Sequence, residues 1–275
     1  MSTVSAPAKD VFAANRAFGR VVLAVKTGAG MSRRSRIREE GPLRVRCPGS
    51  PSAELEAVIL NTAGGVAGGD RFDVDISVQS GARLVVTTAA AEKVYRALGG
   101  DAVVNIKLDV AASGALAWLP QETILFDGAQ LTRTIRIDTA RDARLVFAEA
   151  IIFGRLGMGE TVQKGLLLDR WRLYRDGRIF HAEAIRFDGE IASKLAAAAV
   201  AGGGTGIATL LVMPADESSL SAVRKLRFHG EVAASAWKEL MVVRLCAPDG
   251  AALRHDLIAV LNTVRGGSLP RLWLN

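Results

Sequence analysis

One unit recurs along the middle of this chain and constrains its fold more than any other feature. Phe72, Val74, Ile76 and Val78 alternate with Asp73, Asp75 and Ser77, the period of two that a half-buried strand requires. The alternation returns at Val104, Ile106, Leu108 and Val110, and again at Ile135 and Ile137. Each alternating run leads into a tight turn and then a second, apolar strand over 84–88, 116–119 and 145–148. The turns are Ser80-Gly81-Ala82, Ser113-Gly114-Ala115 and Arg141-Asp142-Ala143, so the unit repeats after 33 and then 28 residues. A period in this range points to stacked strand pairs. The expected fold is therefore mainly β, with stacked β-sheets of β-helix-like or solenoid character and two or three helices. Consecutive hairpins of one sandwich satisfy the same pattern.

The flanking segments fill in the rest. Residues 1–15 are small and polar and read as a flexible N-terminal tail, leaving 16–275 as a single domain with no linker. Val21 to Val25 is a short β-branched run closed by Gly28-Ala29-Gly30. Pro42, Pro48, Gly49 and Pro51 leave the next stretch as loop and edge strand at most. Strands are expected near 55–60, 162–168, 170–175, 178–187, 207–213 and 240–245, with Asp176-Gly177 as a hairpin turn. The alanine-rich stretch 191–201 reads as a helix. Near the C-terminus, Leu253, Leu257, Val260, Leu261 and Val264 recur at helical spacing between Asp249-Gly250 and Gly266-Gly267, which predicts a helix over 251–265. Together with Val242, Val243 and Leu245, these residues form an apolar quarter that serves as core or, if the helix keeps a second apolar face, as a docking site.

Composition removes several function classes. Hydrophobic residues make up 49% and charged residues 23%, a globular balance that excludes a disordered chain. Aromatics at 5% are too few for a single-strand stacking platform. The net charge is +7, but the basic residues are spread out, so nucleic acid is not an expected partner. The densest cluster, Arg33, Arg34, Arg36 and Arg38, reads as a solvated or partner-facing loop. Cys47 and Cys246 cannot form a disulfide framework. The chain opens on no signal segment, and runs such as 195–201 are too short to span a bilayer, so a cytoplasmic protein with no membrane partner is expected.

Motifs for catalysis are absent from the sequence pattern. The loop Gly64-Gly65-Val66-Ala67-Gly68-Gly69-Asp70 lacks the lysine and hydroxyl residue of a phosphate loop and runs into a strand instead of a helix. It reads either as a tight structural turn or as a loop shaped around a partner or an ion path. Gly28-Ala29-Gly30 fails as a dinucleotide fingerprint because Arg33 stands where its third glycine belongs. His181, His229 and His255 are far apart in sequence, which argues against a zinc-type or tight nickel-type site within one chain; each reads as a surface or satisfied core residue, with a weak site shared between chains left open. The carboxylates are more informative. If the repeats stack, Glu122 and Glu149 come near one another at the same end of the layers, available for acid/base work or for oxygen ligation of a passing divalent ion. Against that stands pairing of the turn acids with Lys93, Arg96 or Arg155. Glu92, Asp127 and Glu160 lie in neighbouring turns.

Four of these segments also carry a resemblance. Asn61-Thr62-Ala63-Gly64-Gly65-Val66-Ala67-Gly68-Gly69-Asp70, Thr87-Thr88-Ala89-Ala90-Ala91-Glu92-Lys93-Val94-Tyr95, Leu119-Pro120-Gln121-Glu122-Thr123-Ile124-Leu125-Phe126-Asp127-Gly128-Ala129 and Phe153-Gly154-Arg155-Leu156-Gly157-Met158-Gly159-Glu160 resemble, in order, motifs of the UreD (UreH) urease accessory protein family. The closing Pro270-Arg271-Leu272-Trp273 resembles that family's C-terminal end, and the likeness runs from about residue 15 to 275. Ala63 departs from it, since members often carry proline there, and no function is carried onto 191–206.

The resemblance implies a non-enzymatic maturation factor, a metallochaperone scaffold that binds urease apoprotein. It implies recruitment of the accessory protein UreF, and through it the GTPase UreG, and delivery of nickel through an internal passage; a dimer in the complex, formed directly or through the partner, is a separate expectation on which the sequence carries no symmetry information. No tightly bound cofactor is expected, only transient nickel. Asp70, Glu122, Asp127, Glu149 and Glu160 combine acid chemistry with motif membership and are assigned to the passage or to partner contacts. The alternative is a small-molecule enzyme using Glu122 and Glu149 as paired carboxylates.

Overall fold

The computed structural model describes residues 16–49 and 52–274; the tail expected over 1–15 lies outside the described residues. Two sheets face each other. The first holds β1 (Phe18–Gly28), β2 (Met31–Glu40), β5 (Arg71–Val78), β8 (Ala102–Val110), β11 (Gln130–Thr139), β13 (Lys164–Arg175) and β14 (Arg178–Glu190), in the order β14-β13-β11-β8-β5-β1-β2. Neighbours from β13 to β1 are parallel, and the hairpin partners β14 and β2 close the edges antiparallel. The second holds β3 (Leu43–Arg46), β4 (Leu55–Asn61), β6 (Arg83–Thr88), β9 (Ala115–Trp118), β12 (Arg144–Phe153), β15 (Gly206–Met213), β16 (Glu231–Trp237) and β17 (Leu240–Ala247), in the order β16-β17-β15-β12-β9-β6-β4-β3. Short strands β7 (Glu92–Val94) and β10 (Thr123–Leu125) extend it beside β12.

The repeated unit is one coil of this stack. Its alternating strand enters the first sheet, the tight turn crosses over, and the apolar strand enters the second. Registers put like residues in rungs: Val21, Val74, Ile106, Ile135 and Trp171 in one, and Leu23, Ile76, Leu108, Ile137 and Leu173 in the next. The facing rung is Val86, Trp118, Phe147 and Leu211. The two strand types differ because of what covers them. The first sheet buries one face and leaves the other to water and surface charges such as Arg20 and Asp75. The central strands of the second sheet, β6, β9, β12 and β15, are buried on both faces, so they read as continuous apolar runs. That sheet's outer face, with Val85, Ala117, Ala148 and Leu210, packs on helices α2 (Glu217–Arg224) and α3 (Gly250–Val264).

The helix expected at 251–265 is α3, capped by Asp249, whose Oδ1 accepts from the Ala252 N–H at 2.8 Å. Leu253, Leu257, Val260 and Leu261 are spent on the second sheet, so the apolar C-terminal quarter is core. At Asp176-Gly177, φ of 49° and 74° gives the hairpin its left-handed turn.

Several expectations are corrected. The arginines at 33, 34, 36 and 38 lie on edge strand β2, paired with β1, and not in a loop. The helix read over 191–201 stops as α1 (Ile191–Ala196), because Ala197 is extended. Residues 162–168 and 170–175 do not form two strands. β13 runs unbroken through Asp169, whose charge looks like an interruption but is fully buried against an arginine. Among the described residues no helix is long and apolar enough to cross a membrane.

Candidate functional site

A cavity of about 90 Å³ lies between the two sheets, lined by Phe72, Thr88, Glu92, Trp118, Arg133 and Glu149 among others. Three charged side chains enter this interior by strand phase. Arg133 follows the inward phase of Leu131, Ile135 and Ile137 on β11, and Asp169 that of Leu167, Trp171 and Leu173 on β13. Glu149 falls between Phe147 and Ile151 on β12, from the opposite sheet. Arg133 bridges the two acids. Its Nε donates to Asp169 Oδ1 at 3.0 Å, Nη2 donates to Asp169 Oδ2, and Nη1 donates to Glu149 Oε2. Trp118 Nε1 donates to Glu149 Oε1, and Trp171 Nε1 to Asp169 Oδ1, both at 2.8 Å. All three charged residues are less than 5% exposed.

Two carboxylates against one guanidinium leave a formal charge of −1 in a dry interior. Burial accordingly pushes the Glu149 carboxyl above its ordinary range, although Arg133 opposes it. Glu92 stands on the same cavity with a weaker partner, the Asn61 Nδ2 at 3.2 and 3.3 Å. Burial drives its pKa up to about 7, against the Asn61 hydrogen bond and the Lys93 charge.

The five acids singled out from the sequence divide between this cavity and its surroundings. Only Glu149 lines it. Glu122 sits at the same end of the layers but pairs with Arg254 of α3, at 2.9 Å on the helix-covered side of the second sheet. Glu122 and Glu149 thus occupy opposite faces with separate arginines, and the paired-carboxylate arrangement does not form. Asp70 is spent on the backbone, accepting from the N–H groups of Ala17 and Ala67 at 2.8 Å each. Asp127 accepts from the N–H groups of Gln163 and Lys164 and from Arg96; desolvation pushes its pKa up, but these donors outweigh it and the net shift is downward. Glu160 is held low by its Arg155 partner, whose Nε donates at 2.8 Å.

The glycine-rich loop is both turn and wall. At Gly65, with φ of 152°, a Cβ would meet the Tyr95 ring at 2.4 Å and the Lys93 carbonyl at 2.8 Å. The close approach lets Val66 bridge to Val94 and join the cavity lining, while Tyr95 donates its hydroxyl to Gly64 O at 2.8 Å. Tyr95 packs edge-on against Phe126, and Arg155 stacks on that ring at 4.0 Å. The four motif segments therefore converge at one end of the stack, where Tyr95, Leu98, Leu156 and Met158 are exposed.

Comparison with known proteins decides the family. A family profile described as UreD urease accessory protein matches residues 17–274. The chain is 51% identical to the urease accessory protein UreD of Rhodopseudomonas palustris strain BisB18, covering the whole of both chains. It is 51% identical to the UreD of Bradyrhizobium diazoefficiens over 97% of each.

The chain belongs to the UreD urease accessory protein family. UreD proteins are maturation factors rather than enzymes, and the role here is in urease maturation. That conclusion and the separation of Glu122 from Glu149 remove the enzyme alternative.

Sequence reading missed Arg133 and Asp169, although both stand in the inward phase of alternating strands, where an unpaired charge is not tolerated. Glu92 was visible only as a turn acid. The distance in sequence between two of the histidines closes in the fold. His229 and His255, 26 residues apart, meet with their Nδ1 atoms 2.9 Å apart beside Asp256.

Proposed function

We propose that this UreD chain binds urease apoprotein and, together with UreF and through it the GTPase UreG, assists nickel delivery to the urease active site. The cavity between the sheets forms part of the passage. The observation that carries this reading is the excess of carboxylate over cation at one cavity: Glu92 and Glu149 line it against Arg133, whose guanidinium is already shared with the buried Asp169 behind it. Such an interior favours a passing cation, and nickel enters here as cargo. Oxygen ligands hold borderline metals less tightly than thiolate or imidazole sets, which suits transit over storage.

The acids read from the sequence take different parts. Glu149, joined by Glu92, belongs to the passage. Asp70, Asp127 and Glu160 shape the loops of the motif end, where exposed Tyr95, Leu98, Leu156 and Met158 offer contacts to a partner. Glu122 fixes α3 through Arg254. A dimer within the maturation complex and a cytoplasmic setting belong to the same reading.

The test is the nickel content of urease co-expressed with UreF, UreG and this chain. Omitting the chain should leave urease nickel-poor and inactive. The combined Glu92→Gln and Glu149→Gln variant should do the same while remaining folded and bound. Full nickel loading with that variant would remove the cavity from the path, and full loading without the chain would remove the delivery role altogether.

A further inference from the structure

On the outer side of the second sheet, away from the cavity, three metal-ligating side chains converge. His255 and Asp256 are consecutive on α3, and His229 comes from the segment between α2 and β16. His229 Nδ1 lies 2.9 Å from His255 Nδ1. Asp256 Oδ1 lies 3.2 Å from the His255 Nδ1 and 3.4 Å from the His229 Nδ1. The three atoms form a triangle with sides close to the ~3.3 Å edge of a tetrahedron whose ligands stand ~2.0–2.1 Å from a central ion.

The carboxylate is built in, not incidental. Asp256 is 1% exposed, and its oxygens accept the backbone N–H groups of His229 at 2.9 Å and of Gly230 at 2.8 Å. These two bonds fix the loop that carries His229 and aim Oδ1 at both rings. Second-shell hydrogen bonds of this kind orient first-shell ligands in metal sites. The imidazoles are the opposite case, with side chains about 60% exposed and free to take up the ion from solvent. Without an ion, two Nδ1 atoms and a carboxylate oxygen point at one another. A dication between the three satisfies all of them.

We propose that His229, His255 and Asp256 form a binding site for a divalent transition metal, with two nitrogen ligands, one oxygen ligand and a fourth position open to solvent or to a partner's side chain. The donor set selects zinc, cobalt, nickel or copper over magnesium or calcium, which take oxygen ligands. The site is separated from the inter-sheet cavity by the second sheet and stands independently of the proposed passage.

The test is equilibrium dialysis of the full chain, free of added histidine tags, against Co²⁺ and against Zn²⁺, with visible spectroscopy of the cobalt form. The expected result is one equivalent per chain with tetrahedral cobalt bands, displaced by Zn²⁺. That equivalent should weaken at least ~10-fold in His229→Ala and in His255→Ala, both with unchanged melting temperature, since a ligand should matter no less than the second-shell groups whose loss costs 10–100-fold. It should persist in the Glu92→Gln and Glu149→Gln double variant, which separates this site from the cavity. Wild-type chain that binds no equivalent, or histidine variants that bind it undiminished, would overturn the proposal.

Discussion

Replacing Arg133 with methionine isolates the energetics of the buried triad. The guanidinium is the one cation bridging Glu149 and Asp169, which are 3% and 0% exposed. Methionine fills much of the space but leaves two carboxylates in the interior with only the Trp118 and Trp171 N–H groups as donors among those described above. Breaking a buried ion pair from one side costs about 3–5 kcal/mol. Unfolding entropy of about 2.1 cal/mol/K per residue over 275 residues makes each kcal/mol worth about 2 °C. Arg133→Met should therefore lower the melting temperature by about 6–10 °C. Glu149→Gln is milder. It turns one of the two donors facing Glu149 against an amide N–H, costing about 1–2 kcal/mol, but it removes the surplus negative charge. Its expected drop is about 2–4 °C. Arg133→Lys should fall between the two, because an ammonium keeps the charge and loses the fork that spans both acids. Thermal unfolding of the full chain followed by circular dichroism reads all three. A drop under 2 °C for Arg133→Met, or an equal drop for Glu149→Gln, would refute the view that Arg133 compensates two buried charges.

Three further outcomes follow from single sites. Glu92 is held at a pKa of about 7 against an ordinary 4.5, so the folded state binds the extra proton. The stability this confers is full below pH 4.5 and is lost as pH rises through 7; urea titrations should show wild type losing up to ~3 kcal/mol relative to Glu92→Gln between pH 5 and 8. Parallel curves for the two proteins would remove Glu92 from the buried, uncompensated class. Gly65→Ala forces a Cβ to 2.4 Å from the Tyr95 ring at a φ of 152°, and should cost about 1–3 kcal/mol of stability by urea unfolding; an undiminished midpoint would mean that the loop is not held closed by Tyr95. Leu98 and Met158 are 69% and 75% exposed, so Leu98→Asp with Met158→Asp should leave the melting temperature within ~1 °C while weakening co-purification with urease apoprotein and UreF. Undiminished co-purification would take the motif end out of the partner surface.

The coil architecture was legible because burial writes itself into strand pattern. A strand with one wet face must alternate, and a strand covered twice must not, so β5, β8 and β11 separate cleanly from β6, β9 and β12. Hairpin and cap chemistry marked Asp176-Gly177 and Asp249 for the same local reason. Three-residue strands such as β7 and β10 carry no period to read, and α2 is too short and polar to announce itself. The site was legible in part. Glu149 showed itself as an acid at the end of an apolar strand. Its partner was hidden because Arg133 and Asp169 look like ordinary polar residues until their phase is compared with Leu131 and Leu167. His229 and Asp256 were beyond any local pattern, since their meeting depends on how the segment before β16 lies against α3.

The stacking rule also explains why the charges of the interior are informative. Parallel registers place like against like, and the two rungs through Ile135 and Ile137 next to this level are aliphatic or aromatic. A polar rung inserted for structural specificity alone needs one acid for one arginine. Here a second acid faces the same guanidinium, and a third, Glu92, opens on the same space with an amide, Asn61, as its hydrogen-bond partner and only the more distant influence of Lys93. Burial raises the Glu92 carboxyl to about 7 and pushes Glu149 upward. A dication ligated by Glu92 would displace its proton, so binding there should strengthen as pH rises through 7. The surplus acid is thus the part of the interior that structure alone does not require, and it is the part on which the proposed nickel passage rests.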